Sequence, residues 1–131
     1  MSHKLLEILI PTYQRPLDAI GAIDSALATR DSRVAVACHS NCPDIELEFA
    51  AAQRPALRYG YFPENRGAVA NFRKMLEESC ADYVMFLSDE DRIDPIQLAR
   101  FVDFLSGKQH GFVFCNVVNS SGTNYFSVTA L

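Results

Sequence analysis

Three consecutive acids, Asp89, Glu90 and Asp91, follow the apolar run Tyr83-Val84-Met85-Phe86-Leu87 with only Ser88 between. Carboxylates crowded at the end of a buried strand repel one another. A hard divalent cation such as Mg2+ or Mn2+ relieves that repulsion and can in turn clamp a diphosphate. The plain alternative is an exposed acidic turn that caps the next helix. Asp94, just ahead of Pro95, fits that alternative as an N-cap. Asp89, Glu90 and Asp91 are read instead as the candidate metal site, because the strand before them is too apolar to be exposed.

Two further polar loops close apolar runs, Pro11 to Pro16 and His39 to Asp44. In an open parallel sheet, ligands gather beyond the carboxyl ends of the strands, so these loops are expected to share one edge with the acids. Neither a G-x-G-x-x-G nor a G-x-x-x-x-G-K-[ST] pattern is present, so any bound phosphate must be balanced by other means. Cys38, Cys42, Cys80 and Cys115 match no zinc-knuckle spacing and read as reduced thiols. His3, His39 and His110 are scattered and form no ligand pair on a helix.

The elements that must position these loops alternate between short β-rich runs and longer stretches with helical spacing. Leu5 to Ile10 is the first expected strand. Pro16 then opens a helix with the stripe Leu17, Ile20, Ile23 and Leu27. Val34 to Cys38 is the second strand, followed by a helix to about Gln53, although Ile45, Leu47 and Phe49 alternate as a strand would. Leu57 to Phe62 is the third. The next helix is expected to bury Val69, Phe72, Leu76 and Cys80. Tyr83 to Leu87 reads as a strand covered on both faces. A helix carrying Ile96, Ala99, Val102 and Leu105 runs to Gly107, and Phe112 to Cys115 is a fifth strand. The pattern predicts an α/β sandwich with a mostly parallel sheet of about five strands.

Residues 1–131 fit one domain with a real core, at 49% hydrophobic content. A net charge of -4 gives no basic footprint for nucleic acid. The opening apolar run is too short for a membrane span and ends at Pro11, so a soluble, uncleaved, cytoplasmic chain is expected.

Several of these stretches resemble the inverting family-2 glycosyltransferases. Leu9-Ile10-Pro11-Thr12-Tyr13-Gln14-Arg15 is similar to that family's first strand and "P-T-Y-N-R" loop. Glu64-Asn65-Arg66-Gly67-Ala68-Val69-Ala70-Asn71-Phe72 is similar to its "N-x-G-x-x-x-N" helix entrance, and Phe86-Leu87-Ser88-Asp89-Glu90-Asp91 with Pro95 resembles its D-x-D-type segment. The three occur in the family's order and span nearly the whole chain.

The resemblance implies a GT-A-like, Rossmann-like fold that binds a nucleotide-diphospho-sugar, UDP-, GDP- or dTDP-linked, with Mg2+ or Mn2+. It implies that Pro11, Thr12, Tyr13 and Arg15 line the base pocket and that Asn65, Arg66 and Gly67 sit near the nucleotide. It assigns Asp89, Glu90 and Asp91 to ribose and the metal-bound diphosphate, with the register among the three open. Where the family's second strand ends in an acid, this one ends Cys38-His39-Ser40-Asn41. Either His39 or Asn41 takes over that contact or nucleotide recognition is altered. The family's acceptor-binding half, with the general base that inverting transfer needs, has no counterpart here. The chain is therefore expected to be the donor-binding part, inactive in transfer alone. It is also expected to self-associate through an exposed sheet edge or core face, with Phe112, Phe114, Tyr125 and Phe126 contributing. The rival readings are a nucleotidyltransferase, which would carry a glycine- and basic-rich phosphate loop after its first strand, and a non-catalytic interaction module that retains the fold.

Overall fold

The computed structural model describes residues 3–107 together with 109, 111, 113 and 121. Of the expected fifth strand at 112–115 only Val113 is described, and the aromatic residues Phe112, Phe114, Tyr125 and Phe126 lie outside the described residues. Within them, β1 (Leu6–Thr12), β2 (Val34–Ser40), β3 (Leu57–Tyr61) and β4 (Tyr83–Phe86) alternate with α1 (Pro16–Leu27), α2 (Ile45–Ala52), α3 (Ala68–Glu78) and α4 (Pro95–Gly107). The four strands form one parallel sheet in the order β3-β2-β1-β4.

Chain handedness explains how the helices are layered. Stepping from β1 to β2 to β3 by right-handed crossovers puts α1 and α2 on one face. The return from β3 past β1 to β4 puts α3 on the other. α4 comes back to the first face. There Leu98, Val102 and Leu105 join Ile8, Ile10, Ala22, Ile23, Val36, Cys38 and Leu47 in the main core. The second face is thin. Its small apolar cluster is Leu9, Ala37 and Met75, and beside it the buried Glu7 carboxylate is held by Arg58, whose Nη2 donates to Oε1 at 3.0 Å.

The helix starts follow the sequence cues. Pro16 is the first residue of α1. Asp44 caps α2 by accepting from Glu46 N and Leu47 N. Asp94 caps α4 through Ile96 N and Gln97 N, at 2.9 and 3.1 Å.

The inward faces, by contrast, need correcting. Leu17 and Ile96 of the expected stripes are exposed, and the buried positions of α1 are Ala19, Ala22, Ile23 and Ala26. Small residues face the sheet there because α1 packs closely on β1 and β2. In α3 the inward residues are Asn71 and Met75, while Val69, Phe72 and Leu76 are exposed. β4 is not covered on both faces either. Tyr83 and Met85 pack on the main core, but Val84 and Phe86 are 41% and 37% exposed on the thin face, where Phe72 stacks on Phe86 at 4.6 Å. Among the described residues no helix is long and apolar enough to cross a membrane.

Candidate functional site

The strand order reverses between β1 and β4, because the chain grows outward through β2 and β3 and then returns to the far side of β1. Loops leaving two such strands diverge and open a crevice. Thr12, the last residue of β1, and Asp89, three residues beyond β4, meet across it. The Thr12 hydroxyl donates to Asp89 Oδ2 at 2.8 Å, and Asp89 is only 2% exposed. Arg15 approaches the same carboxylate from the loop after β1, with Nε 3.2 Å from Asp89 Oδ2, and its Nη1 donates to Glu90. One guanidinium therefore bridges a buried and an exposed carboxylate.

The acidic loop itself is a tight turn in which Asp91 N donates to Ser88 O at 3.0 Å. Glu90 and Asp91 are exposed. Among the described residues no three His, Cys, Asp or Glu side chains converge around a point that would enclose a metal ion. Asp89, Glu90 and Asp91 are thus an oxygen-rich lip, not a closed cage. Such a donor set suits a hard cation that completes its shell with phosphate oxygens and water.

A second cluster forms beyond β2 and β3. Asn41 is buried, accepts from Arg66 N at 3.0 Å and donates through Nδ2 to Gly67 O at 3.0 Å. It therefore staples the loop before α3 to the end of β2. Asn65 Oδ1 accepts from Gly67 N, and Gly67 sits at φ +87, a conformation that a side chain would strain. The Arg66 guanidinium lies 4.8 Å from the centroid of the Phe62 ring. Asn41 N donates to Thr12 O at 2.9 Å, so both clusters share one wall.

His39 lies beneath this wall. Its Nδ1 donates to Asn71 Oδ1 at 2.5 Å, and Asn71 Nδ2 returns a bond to His39 O at 2.9 Å. That reciprocal pair orients the amide, while burial holds the imidazole pKa below its usual value against the Asn71 bond, which on its own favours the charged ring. Cys38, on the opposite face, is pushed up to about 12 by burial and by the nearby Asp89 and Asp44 charges, so it is no nucleophile. Cys38, Cys42 and Cys80 are free.

The carboxyl edge thus gathers Pro11, Thr12, Tyr13, Arg15, Asn41, Asn65, Arg66, Gly67, Asp89, Glu90 and Asp91, with Tyr13 40% exposed at the mouth. His39 stands behind them. Sequence reasoning missed Phe62, the ring under Arg66 and beside His39 at 4.6 Å. An aromatic that closes an apolar run carries no signal of its own. A separate cavity of about 650 Å³ opens at the amino end of the sheet near Lys4, Leu27, Arg30 and Val34, away from these groups.

A parallel α/β sheet with polar loops and a buried carboxylate at its switch point defines an open α/β protein whose ligand edge lies at that point. The chain belongs to glycosyl transferase family 2, whose sequence profile matches residues 7–130. No curated protein matches it by sequence. Among solved structures it is similar to Staphylococcus aureus TarS residues 1–349, with TM-score 0.66 and 20% identity over 78% of this chain and 32% of that one. The same TarS fragment in complex with UDP gives TM-score 0.65 at 20% identity, over 78% and 32% of the two chains. The mannosyltransferase PcManGT from Pyrobaculum calidifontis, in complex with GDP-Man and Mn2+, gives 0.65 at 17% identity, over 81% and 33%. This chain spans about a third of the length of these structures, 32–33%. The likeness shows a shared GT-A-like fold.

Proposed function

We propose that the carboxyl edge is the donor site of a glycosyltransferase, binding a nucleotide-diphospho-sugar together with Mg2+ or Mn2+ for transfer to an acceptor. The observation that carries this reading is the buried Asp89 carboxylate at the switch point, held by Thr12 and Arg15, with Glu90 and Asp91 beside it. The solution of TarS with UDP and of PcManGT with GDP-Man and Mn2+ supports it by kinship. In this reading Pro11, Thr12, Tyr13 and Arg15 line the base pocket. Asn41 holds the loop of Asn65, Arg66 and Gly67 at the nucleotide, and His39 supports it from beneath through Asn71 and the Phe62 ring. Arg15 balances the charge of Asp89 and Glu90. One or more of Asp89, Glu90 and Asp91 would hold the cation, with phosphate oxygens and water completing its shell, and the chemistry it would supply is to stabilise the departing nucleoside diphosphate.

The test is thermal melting with UDP, GDP and dTDP, each with and without Mn2+. A ligand at a hundred times its dissociation constant stabilises the fold by about 2.7 kcal/mol, so one base should produce a clear shift that depends on the metal. In parallel incubations with nucleotide sugars, these residues alone are expected to form no acceptor product, since transfer needs an aligned acceptor and a base. A flat melting response to every nucleotide would sink the donor-site reading and favour a non-catalytic module.

Self-association through the thin face belongs to the same proposal. Val69, Phe72, Leu76, Val84 and Phe86 leave apolar surface exposed on α3 and β4. Sedimentation is expected to show a concentration-dependent mass, reduced by Phe86→Lys. A constant monomer mass over a wide concentration range would remove this part of the reading.

A further inference from the structure

We infer that Arg92 is a positioning residue for the acidic loop and that Gly21 of α1 is the seat that admits it. The inference rests on the donor-site reading of Asp89 to Asp91. Arg92 Nη1 donates to Asp91 O at 2.8 Å and to Asp89 O at 3.3 Å, so the guanidinium braces the loop through its backbone. Its other edge lies against α1 at Gly21. A Cβ added at Gly21 would stand 2.2 Å from Arg92 Nη2, 2.6 Å from Cζ and 2.8 Å from Nε. Any side chain at position 21 therefore displaces the guanidinium.

One helical turn further along α1, Ser25 Oγ accepts from Ile93 N at 3.0 Å while donating to Ala22 O at 2.8 Å. Positions 21 and 25 share a face, so α1 grips the loop at two successive points. The arrangement answers a physical need. Three adjacent carboxylates resist being held together, and their own turn supplies only the Asp91 N to Ser88 O bond and a weaker one from Glu90 N to Ser88 Oγ at 3.3 Å. Arg15 meets the loop from the carboxylate side and Arg92 from the carbonyl side. Outer partners of this kind fix how metal ligands are presented, and their loss typically costs about 10–100-fold in metal affinity.

Gly21→Ala separates positioning from general stability. Alanine favours a helix interior over glycine, so the variant should melt no lower than the parent. It should nevertheless free the loop, because the group that must yield is the flexible end of Arg92. Two measurements are made on the parent, Gly21→Ala and Arg92→Ala. Amide hydrogen exchange, with neither metal nor nucleotide, should show protection at Asp91 and Ile93 falling about tenfold in both variants, with protection in α1 no lower than in the parent. Titration of UDP and GDP should show the Mn2+-dependent part of the affinity falling by about tenfold or more, with metal-independent binding unchanged. Parent-like exchange at Asp91 and Ile93 in both variants would overturn the positioning role, whether or not the parent binds nucleotide. A parent that binds no nucleotide with Mn2+ overturns the donor-site reading, and the exchange result still decides whether Arg92 and Gly21 anchor the loop.

Discussion

Asp89→Asn is expected to remove about a hundredfold or more of the metal-dependent nucleotide affinity, roughly 2.7 kcal/mol, while leaving the fold in place. Asp89 is the buried acid of the trio, fixed by Thr12 at 2.8 Å, and so presents its carboxylate in one orientation at no further entropic cost on binding. Asparagine keeps the volume and an acceptor for the Thr12 hydroxyl but removes the charge. Asp89→Ala goes further, leaving that hydroxyl without its partner in a buried position, which costs about 1–3 kcal/mol of stability as well. Arg15 is half exposed and still faces Glu90, so its share of the stability loss is small after solvent screening. Glu90→Ala and Asp91→Ala should weaken binding less, because both side chains are exposed and water can replace them. Calorimetric titration of UDP and GDP with and without Mn2+ checks the series. Parent-like affinity in Asp89→Asn would mean that the metal and diphosphate are held elsewhere.

The largest stability effect is expected from Asn71→Ala. That change orphans the His39 Nδ1–H and weakens the satisfaction of the His39 carbonyl, both in the interior. At about 1–3 kcal/mol for each of the two groups, the total of roughly 2–6 kcal/mol is a large part of what a domain of this size has. The melting temperature should fall by about 10 °C or more. In a His39→Phe background the same change should cost clearly less, since the ring donor is gone; equal losses in both backgrounds would show that the pair is not coupled. The pH profile tests the same network. The unfolded chain takes up a proton on His39 near the usual 6.5, and the folded chain only below that. The unfolded state therefore binds more protons in this window, so stability is full above about pH 6.5 and declines as the pH drops through the depressed folded value. His39→Phe should flatten the profile between pH 7 and 5. A parent profile that is already flat there would contradict a buried neutral imidazole.

Much of the fold was legible because its signals are local. Pro16 and Asp94 mark helix starts through backbone chemistry that neighbours in sequence provide, and both stand where expected. The apolar runs at β1, β2 and β4 are short and β-branched or aromatic, and the polar loops that close them sit at the ligand edge of a parallel sheet. The exposed faces of the helices were not legible. Leu17, Val69 and Ile96 keep helical spacing with their neighbours, yet several overlapping stripes satisfy that spacing, and only packing selects one. In α3 it selected a polar residue, Asn71, because His39 offered it two hydrogen bonds.

For the site, the residue types and their order along the chain were enough to mark Asp89, Glu90 and Asp91 as metal candidates and the loops at Thr12 and Gly67 as their companions. Which groups touch was decided by the strand order β3-β2-β1-β4, which places β1 beside β4 and brings Thr12 to Asp89 across 77 residues of chain. It also left Asn41 occupied with Arg66 and Gly67, and it laid Arg92 on the bare backbone of Gly21. Propensity, capping and patterning act between near neighbours and so can be read along a sequence. Contacts between distant segments depend on how crossovers pack, and a glycine gives no sign in the sequence of the arginine its missing side chain makes room for.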